Sequence, residues 1–200
     1  MNTAKPRGRP AAFQYDKALE QAMYIFWEHG YEGASLASLT DAMGINKPSM
    51  YAAFGSKEDL FRKSVQKYLT GPASFVAESM QAPTSKQIVM KLLTAAAEFL
   101  TSSEHPHGCM LMQGALNCGV GAEHIKHELI AQRHAYEAAL ENRFEQCRSA
   151  GDLPVNTDVV GLARYIATIH QGMSVQATSG ATRQELLNIV GMVLNHWPQN

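Results

Sequence analysis

Apolar side chains recur at spacings of three and four along nearly the whole chain, and a glycine or proline stops each run before the next begins. Nothing else in the sequence constrains the fold as much. That period puts one apolar stripe on each helix, while no stretch alternates apolar and polar residues between hairpin dipeptides, so strands are not expected. The first run, over 16–29, carries Leu19, Met23, Phe26 and Trp27, with Asp16 as the expected N-cap and Gly30 at the left-handed C′ position. Ser35 opens a second, short run that Gly44 ends after Met43. Pro48 suits the start of a third, through Phe54, which Gly55 closes. Ser56, with Asp59 three residues on, makes a short-armed capping box for a fourth helix over 57–70. Past Gly71-Pro72, which either kinks or interrupts the helix, further helices are predicted near 73–80, 84–102, 109–118, 121–150, 157–178 and 182–196. The expected fold class is all-α.

With 46% apolar and 18% charged residues over 200 positions, the chain has the material for a packed core, which excludes intrinsic disorder. No apolar stretch approaches the roughly 20 residues of a bilayer crossing, and none follows Lys5, Arg7 and Arg9 as a secretory leader would. A cytoplasmic protein without a membrane partner is expected. Its three cysteines, Cys109, Cys118 and Cys147, then read as free thiols. The net charge of −1 conceals a split: residues 1–70 hold 9 Lys/Arg against 7 Asp/Glu, whereas 71–200 hold 8 against 11. Only the amino-terminal part invites a polyanion.

In that part, a short helix, a tight turn at Gly44 and a second short helix form the unit that lays its second helix in a DNA major groove. Any helical bundle contains such pairs, so the neighbours matter. Tyr51 and Lys57 place a hydroxyl and an ammonium just beyond the second helix, beside the positive end of the fourth. Arg7-Gly8-Arg9-Pro10 reads as a basic arm for an adjacent groove. The plainer alternatives are a Tyr51 packed on the first helix and a Lys57 that is an ordinary solvated charge.

The stretch from Ala18-Leu19 through Phe26-Trp27-Glu28-His29-Gly30-Tyr31, then Ser35-Leu36, Leu39, Ala42-Met43-Gly44-Ile45 and Ser49-Met50-Tyr51-Ala52-Ala53-Phe54-Gly55-Ser56-Lys57-Glu58-Asp59-Leu60-Phe61, resembles the amino-terminal domain of TetR-family transcriptional regulators. The resemblance covers about residues 12–62. It implies an amino-terminal DNA-binding domain over 1–62 and a ligand-binding and dimerisation domain over 63–200. It further implies a homodimer on palindromic double-stranded operator DNA, released by a small-molecule inducer, with no cofactor and no catalysis. Carried over by position, it puts Ser35, Asn46, Lys47, Ser49 and Tyr51 against DNA and Lys57 on phosphate, with Met50 and Phe54 facing inward. Ala52-Ala53 stands where many members carry a bulky Tyr-His pair; methyl groups touch a thymine methyl but donate no hydrogen bond, so base selection is expected to lean on Asn46 and Lys47.

The rest of the chain is less explicit. Gly161, Ala163, Ala167, Gly172 and Ala177 in the last helices permit close helix approach, either across a dimer interface or within one chain. Met90, Leu93, Phe99, Met110, Met112, Tyr136, Phe144, Tyr165, Ile169 and Met173 are candidates to line an apolar pocket, with Gln113, His170 and Gln171 as orienting groups and Cys109 as a small wall residue. An apolar or aromatic inducer follows. His105, His107 and Cys109, within five residues, offer a rival: a redox- or metal-responsive site. Cys118, nine residues from Cys109, falls on the opposite helix face. His124, His127 and His134 share a face that is either a solvated stripe or a second metal candidate. No nucleophile elbow or phosphate loop occurs, Gly119-Val120-Gly121 lacks a third glycine, and Ala131 replaces the second His of a zinc-protease pattern begun by His127-Glu128. A helical adaptor would leave the basic arm and the Asn46-Lys47 pair without a use.

Overall fold

The computed structural model describes residues 11–116 and 122–198. Among them run ten helices and no strand: α1 (Ala11–Gly33), α2 (Leu36–Met43), α3 (Lys47–Phe54), α4 (Lys57–Thr70), α5 (Phe75–Ser79), α6 (Ser85–Leu100), α7 (Met110–Leu116), α8 (Glu123–Ser149), α9 (Val159–Thr178) and α10 (Arg183–Asn195). Arg7, Arg9, Cys118 and Gly119-Val120-Gly121 lie outside the described residues.

Local chemistry fixes most helix ends. Ser35, Asn46, Ser56, Thr84, Asp158 and Thr182 each accept an N–H bond from the first turn of the helix they precede, and Ser56/Asp59 and Thr182/Glu185 form reciprocal capping boxes. Gly44 adopts φ 67°, ψ 29°, the left-handed geometry that turns α2 into α3. Asp16 is no cap: no helix breaker separates it from Ala11-Ala12, both strong helix formers, and α1 begins five residues earlier. Gly30 does have positive φ, at 70°, but its ψ of 178° is extended, so α1 resumes for one further turn and delivers the fully buried Ala34 to the core. At Gly71, whose N–H closes onto the Lys67 carbonyl, α4 ends, so Gly71-Pro72 interrupts the helix instead of kinking it.

The buried side chains form two clusters. One gathers α1–α4 around Phe26, Trp27, Phe61 and Tyr68, and also takes in Met110 of α7 and Ile125 and Leu129 at the start of α8. The other joins α6, α8, α9 and α10 around Leu92, Leu93, Phe144, Ile166 and Trp197, whose indole N–H donates to Ser85 Oγ at 3.1 Å. Phe75, Phe99 and Cys109 pack against both clusters. α4, α5 and α7 therefore lie between the amino-terminal helices and the carboxy-terminal bundle.

Candidate functional site

α3 shows one face to solvent and one to the core. Lys47, Pro48, Ser49, Tyr51, Ala52 and Ala53 are exposed, and Met50 and Phe54 are buried. Tyr51, 47% exposed, does not pack on α1; Tyr15 takes that place, stacking on Phe54 with ring centroids 4.5 Å apart. Ser35 and Asn46 are exposed beside this face, but each already has work. Ser35 Oγ accepts the Ser38 N–H at 3.0 Å and Asn46 Oδ1 accepts the Ser49 N–H at 2.9 Å. Asn46 is the N-cap of α3, with only its amide nitrogen left to donate elsewhere. The sequence carried the signal: an Asn two residues before a proline at the head of a short helix.

Lys57 is not a free surface charge either. Its ammonium lies 4.5 Å from the centroid of the Tyr31 ring, and burial lowers its pKa while Glu32 opposes that shift. The contact draws Lys57 back onto α1 at the foot of α4. Lys63, which sequence reasoning missed, donates to the Phe54 carbonyl at 3.3 Å and so ties α4 to the end of α3.

The second feature is a cavity of about 430 Å³ between α4, α5, α6, α7, α8 and α9. Its inner wall holds Tyr68, Phe99, Leu100, Cys109 and Ser174; its mouth opens between Ala77 and Gln81 on one side and Gln132, Ala135 and Ala139 of α8 on the other. Of the residues expected in such a pocket, Phe99, Cys109, Met112, Tyr136, His170 and Gln171 line it. The others do not. Leu93, Phe144 and Met173 are sealed in the carboxy-terminal core and Met110 in the amino-terminal one; Ile169 packs on core side chains. Tyr165 and Met90, 47% and 44% exposed, face outward, and Gln113 is held by the His107 carbonyl at 2.6 Å. Residues with no obvious sequence signal, Tyr68, Phe75, Val76 and Arg133, take their places.

Inside the cavity, the Tyr136 hydroxyl and His170 Nδ1 are 2.9 Å apart. Burial pushes the His170 pKa down to about 4, so the ring is neutral at physiological pH, and burial raises Tyr136. Tyr68 is raised too, by burial and then by the neighbouring Cys109 thiol.

Two connections join cavity and reader. Trp27 of α1 stacks on Phe99 (5.4 Å) and on His105 (4.6 Å), and its indole N–H donates to the Gly108 carbonyl at 3.1 Å. Arg62 of α4 grips both carboxylate oxygens of Glu128 on α8, and His124 of α8 reaches Glu58 of α4 at 3.1 Å. His105 is thus an aromatic packing partner and His107 is exposed. No group of three His, Cys, Asp or Glu side chains able to hold a metal comes together among the described residues, so His105, His107 and Cys109 do not form the three-ligand site their spacing suggested, and neither does the His124, His127, His134 stripe.

Comparison with known proteins agrees with this architecture. Residues 18–63 match the model for bacterial regulatory proteins of the tetR family. The sequence is 34% identical to the HTH-type transcriptional repressor ComR of Escherichia coli, over 98% of this chain and 94% of that protein. The fold matches, with a TM-score of 0.90 and 41% identity over 95% of this chain and all of the other, a cysteine-substituted form of the TetR family transcriptional regulator CifR complexed with 26-base-pair double-strand operator DNA. A putative TetR transcriptional regulator from a Rhodococcus species is 40% identical over 92% of this chain and 98% of its own, with a TM-score of 0.64. The chain belongs to the TetR family of bacterial transcriptional regulators, helix-turn-helix DNA-binding proteins that are not enzymes.

Proposed function

We propose that this regulator is a repressor that binds a palindromic operator as a homodimer and is released by a small apolar or aromatic molecule held in the 430 Å³ cavity. The observation that carries the reading is that α4 serves both regions: at one end Lys57 packs on Tyr31 of α1 and Lys63 holds the end of the recognition helix, and Tyr68 forms cavity wall near the other. Eleven residues of helix span about 16 Å between them. The repressor named ComR and the operator-bound CifR support the sign and the partner.

Lys47 and Ser49 reach into the major groove, Ser35, Tyr51 and Lys57 contact phosphate, and Arg7 and Arg9 follow the adjacent groove as an arm. Asn46 contributes mainly by capping α3. The dimer forms through α9 and α10, where Val160, Tyr165, Val175 and Met192 are exposed. Ala163, Ala167 and Ala177 serve packing within the chain, and Gly161 and Gly172 remain exposed for the partner. Half-sites about 34–36 Å apart tolerate little change in recognition-helix separation, so a ligand that favours another separation lowers DNA affinity, and operator lowers ligand affinity by the same factor.

Operator binding by the full chain, followed in a salt series, tests this. Tyr51→Phe and Lys57→Ala weaken all sequences alike and Lys57→Ala flattens the salt slope, whereas Lys47→Ala relaxes base preference in each half-site by roughly 1–3 kcal/mol. Unchanged operator affinity in all three sinks the assignment. A second reading, a thiol sensor, is favoured by the place of Cys109 in the cavity wall beside Tyr68. It would replace the first if mild oxidant released the wild type from DNA while Cys109→Ser stayed bound.

A further inference from the structure

The cavity on which the inducer reading rests is apolar almost throughout, and among the described residues its wall carries a single full charge, the guanidinium of Arg133 on α8. Nothing described in the fold neutralises it. Glu137, the natural partner one helical turn on, is engaged by Arg164 at 2.9 Å, and Glu128 is gripped by Arg62. Arg133 has no ion pair or hydrogen bond among the described residues, no acidic side chain lines the cavity, and the other basic group there, His170, is neutral. A half-buried cation beside apolar surface has lost part of its hydration with no protein counter-charge in return. Such a site is completed by an anion from outside.

Its position defines the rest of the molecule. Arg133 sits between Gln132 and Ala135, which are exposed at the mouth, whereas Tyr68 and Phe99 close the inner end. A ligand with its charge at the mouth and its apolar body inward satisfies both ends. The planar fork of a guanidinium matches a carboxylate oxygen for oxygen. One cation balances one monoanion, whereas a phosphate dianion would leave surplus negative charge against apolar walls. Resting on the inducer reading above, we propose that the ligand is an organic monocarboxylic acid, its carboxylate on Arg133 and its aliphatic or aromatic body directed toward Tyr68 and Phe99.

Matched pairs test the charge separately from the body. Hexanoate, decanoate, dodecanoate and 4-phenylbutyrate, each beside its primary amide, are titrated into the full-length wild type, Arg133→Gln and Arg133→Lys near neutral pH by calorimetry, with operator release followed by fluorescence anisotropy. In the wild type, the best acid binds at least about tenfold more tightly than its amide and releases operator at correspondingly lower concentration. Arg133→Gln shrinks that preference to less than about twofold, and Arg133→Lys, which keeps the charge without the fork, retains an intermediate preference. Equal binding of acid and amide to the wild type overturns the inference, as does an acid preference that survives Arg133→Gln; in both cases the inducer reading stands. If no acid and no amide binds the wild type, the inducer reading falls and takes the inference with it.

Discussion

The reading head and the carboxy-terminal bundle use the same helical material to opposite ends. In the head, α2 and α3 are eight residues each, far too short to persist alone, and their geometry comes from side-chain caps and from Leu39, Met43, Met50 and Phe54 packing on a buried aromatic core. The bundle has helices of up to 27 residues, yet it leaves about 430 Å³ unfilled between them. Close packing transmits strain, whereas a void accepts a ligand and rearranges. The contrast shows where each is kept: close packing in the helix-turn-helix part, and the void in the bundle, where the reading proposed above puts the small molecule. α4 and Phe99 meet both regions, and Trp27 of the head stacks on Phe99.

Trp27 offers the largest way to break that contrast. It is fully buried, stacks on Tyr24, Phe99 and His105, meets Tyr68 edge-on and donates to the Gly108 carbonyl. Trp27→Ala is expected to cost about 3–5 kcal/mol in urea unfolding. A loss below about 1 kcal/mol would mean that the head does not depend on this core.

His170 tests the cavity side by pH. Its folded pKa of about 4 lies below the ordinary 6.5, so between those values the unfolded chain binds more protons and stability rises with pH. Acidification from pH 6.5 to 4 should therefore remove His170's contribution, bounded at about 3 kcal/mol and nearer 2 because one side of the ring meets the cavity. His170→Gln should flatten the stability profile in that window. A slope unchanged by the substitution would assign the acid sensitivity to other groups.

At Asn46 the expected effect is smaller and sharpens the account of the head. Asn46→Ala should cost about 1 kcal/mol of stability, and Asn46→Ser, which keeps a capping oxygen, should restore most of it. If Asn46→Ser restores stability but not operator preference, the free amide nitrogen reads a base; if it restores both, the residue acts through the cap.

The smallest effect lies at the junction. Arg62 and Glu128 are each 43% exposed, so a double-mutant cycle with Arg62→Gln and Glu128→Gln should give less than about 1 kcal/mol in unfolding. The same cycle read as the change in operator affinity on adding ligand should be the larger number, because this pair links α4 to the helix that lines the cavity. Equal values in both readouts would make it an ordinary surface ion pair.

The helices, their order and the inward and outward faces of α3 were legible from residue spacing, because the 3.6-residue period, the caps at Ser35 and Ser56 and the left-handed turn at Gly44 are written within a few positions of where they act. The same local rules failed in a small way at Asp16, where a cap candidate sits inside a longer helical run, while Asn46, expected against DNA, also turns out to cap α3. The cavity was different. Tyr136 and Tyr165 each sit on an amphipathic helix in similar local sequence, yet one faces the void and the other solvent; Met110 and Met112, two positions apart, fall in a sealed core and on the cavity wall. Periodicity states that a face is apolar, but what meets that face depends on helices tens of residues away. The sequence by itself therefore determined the fold class and the reading head, while the packing of α4, α5, α6, α7, α8 and α9 decided where the void lies and that Arg133 stands in its wall without a counter-charge among the described residues.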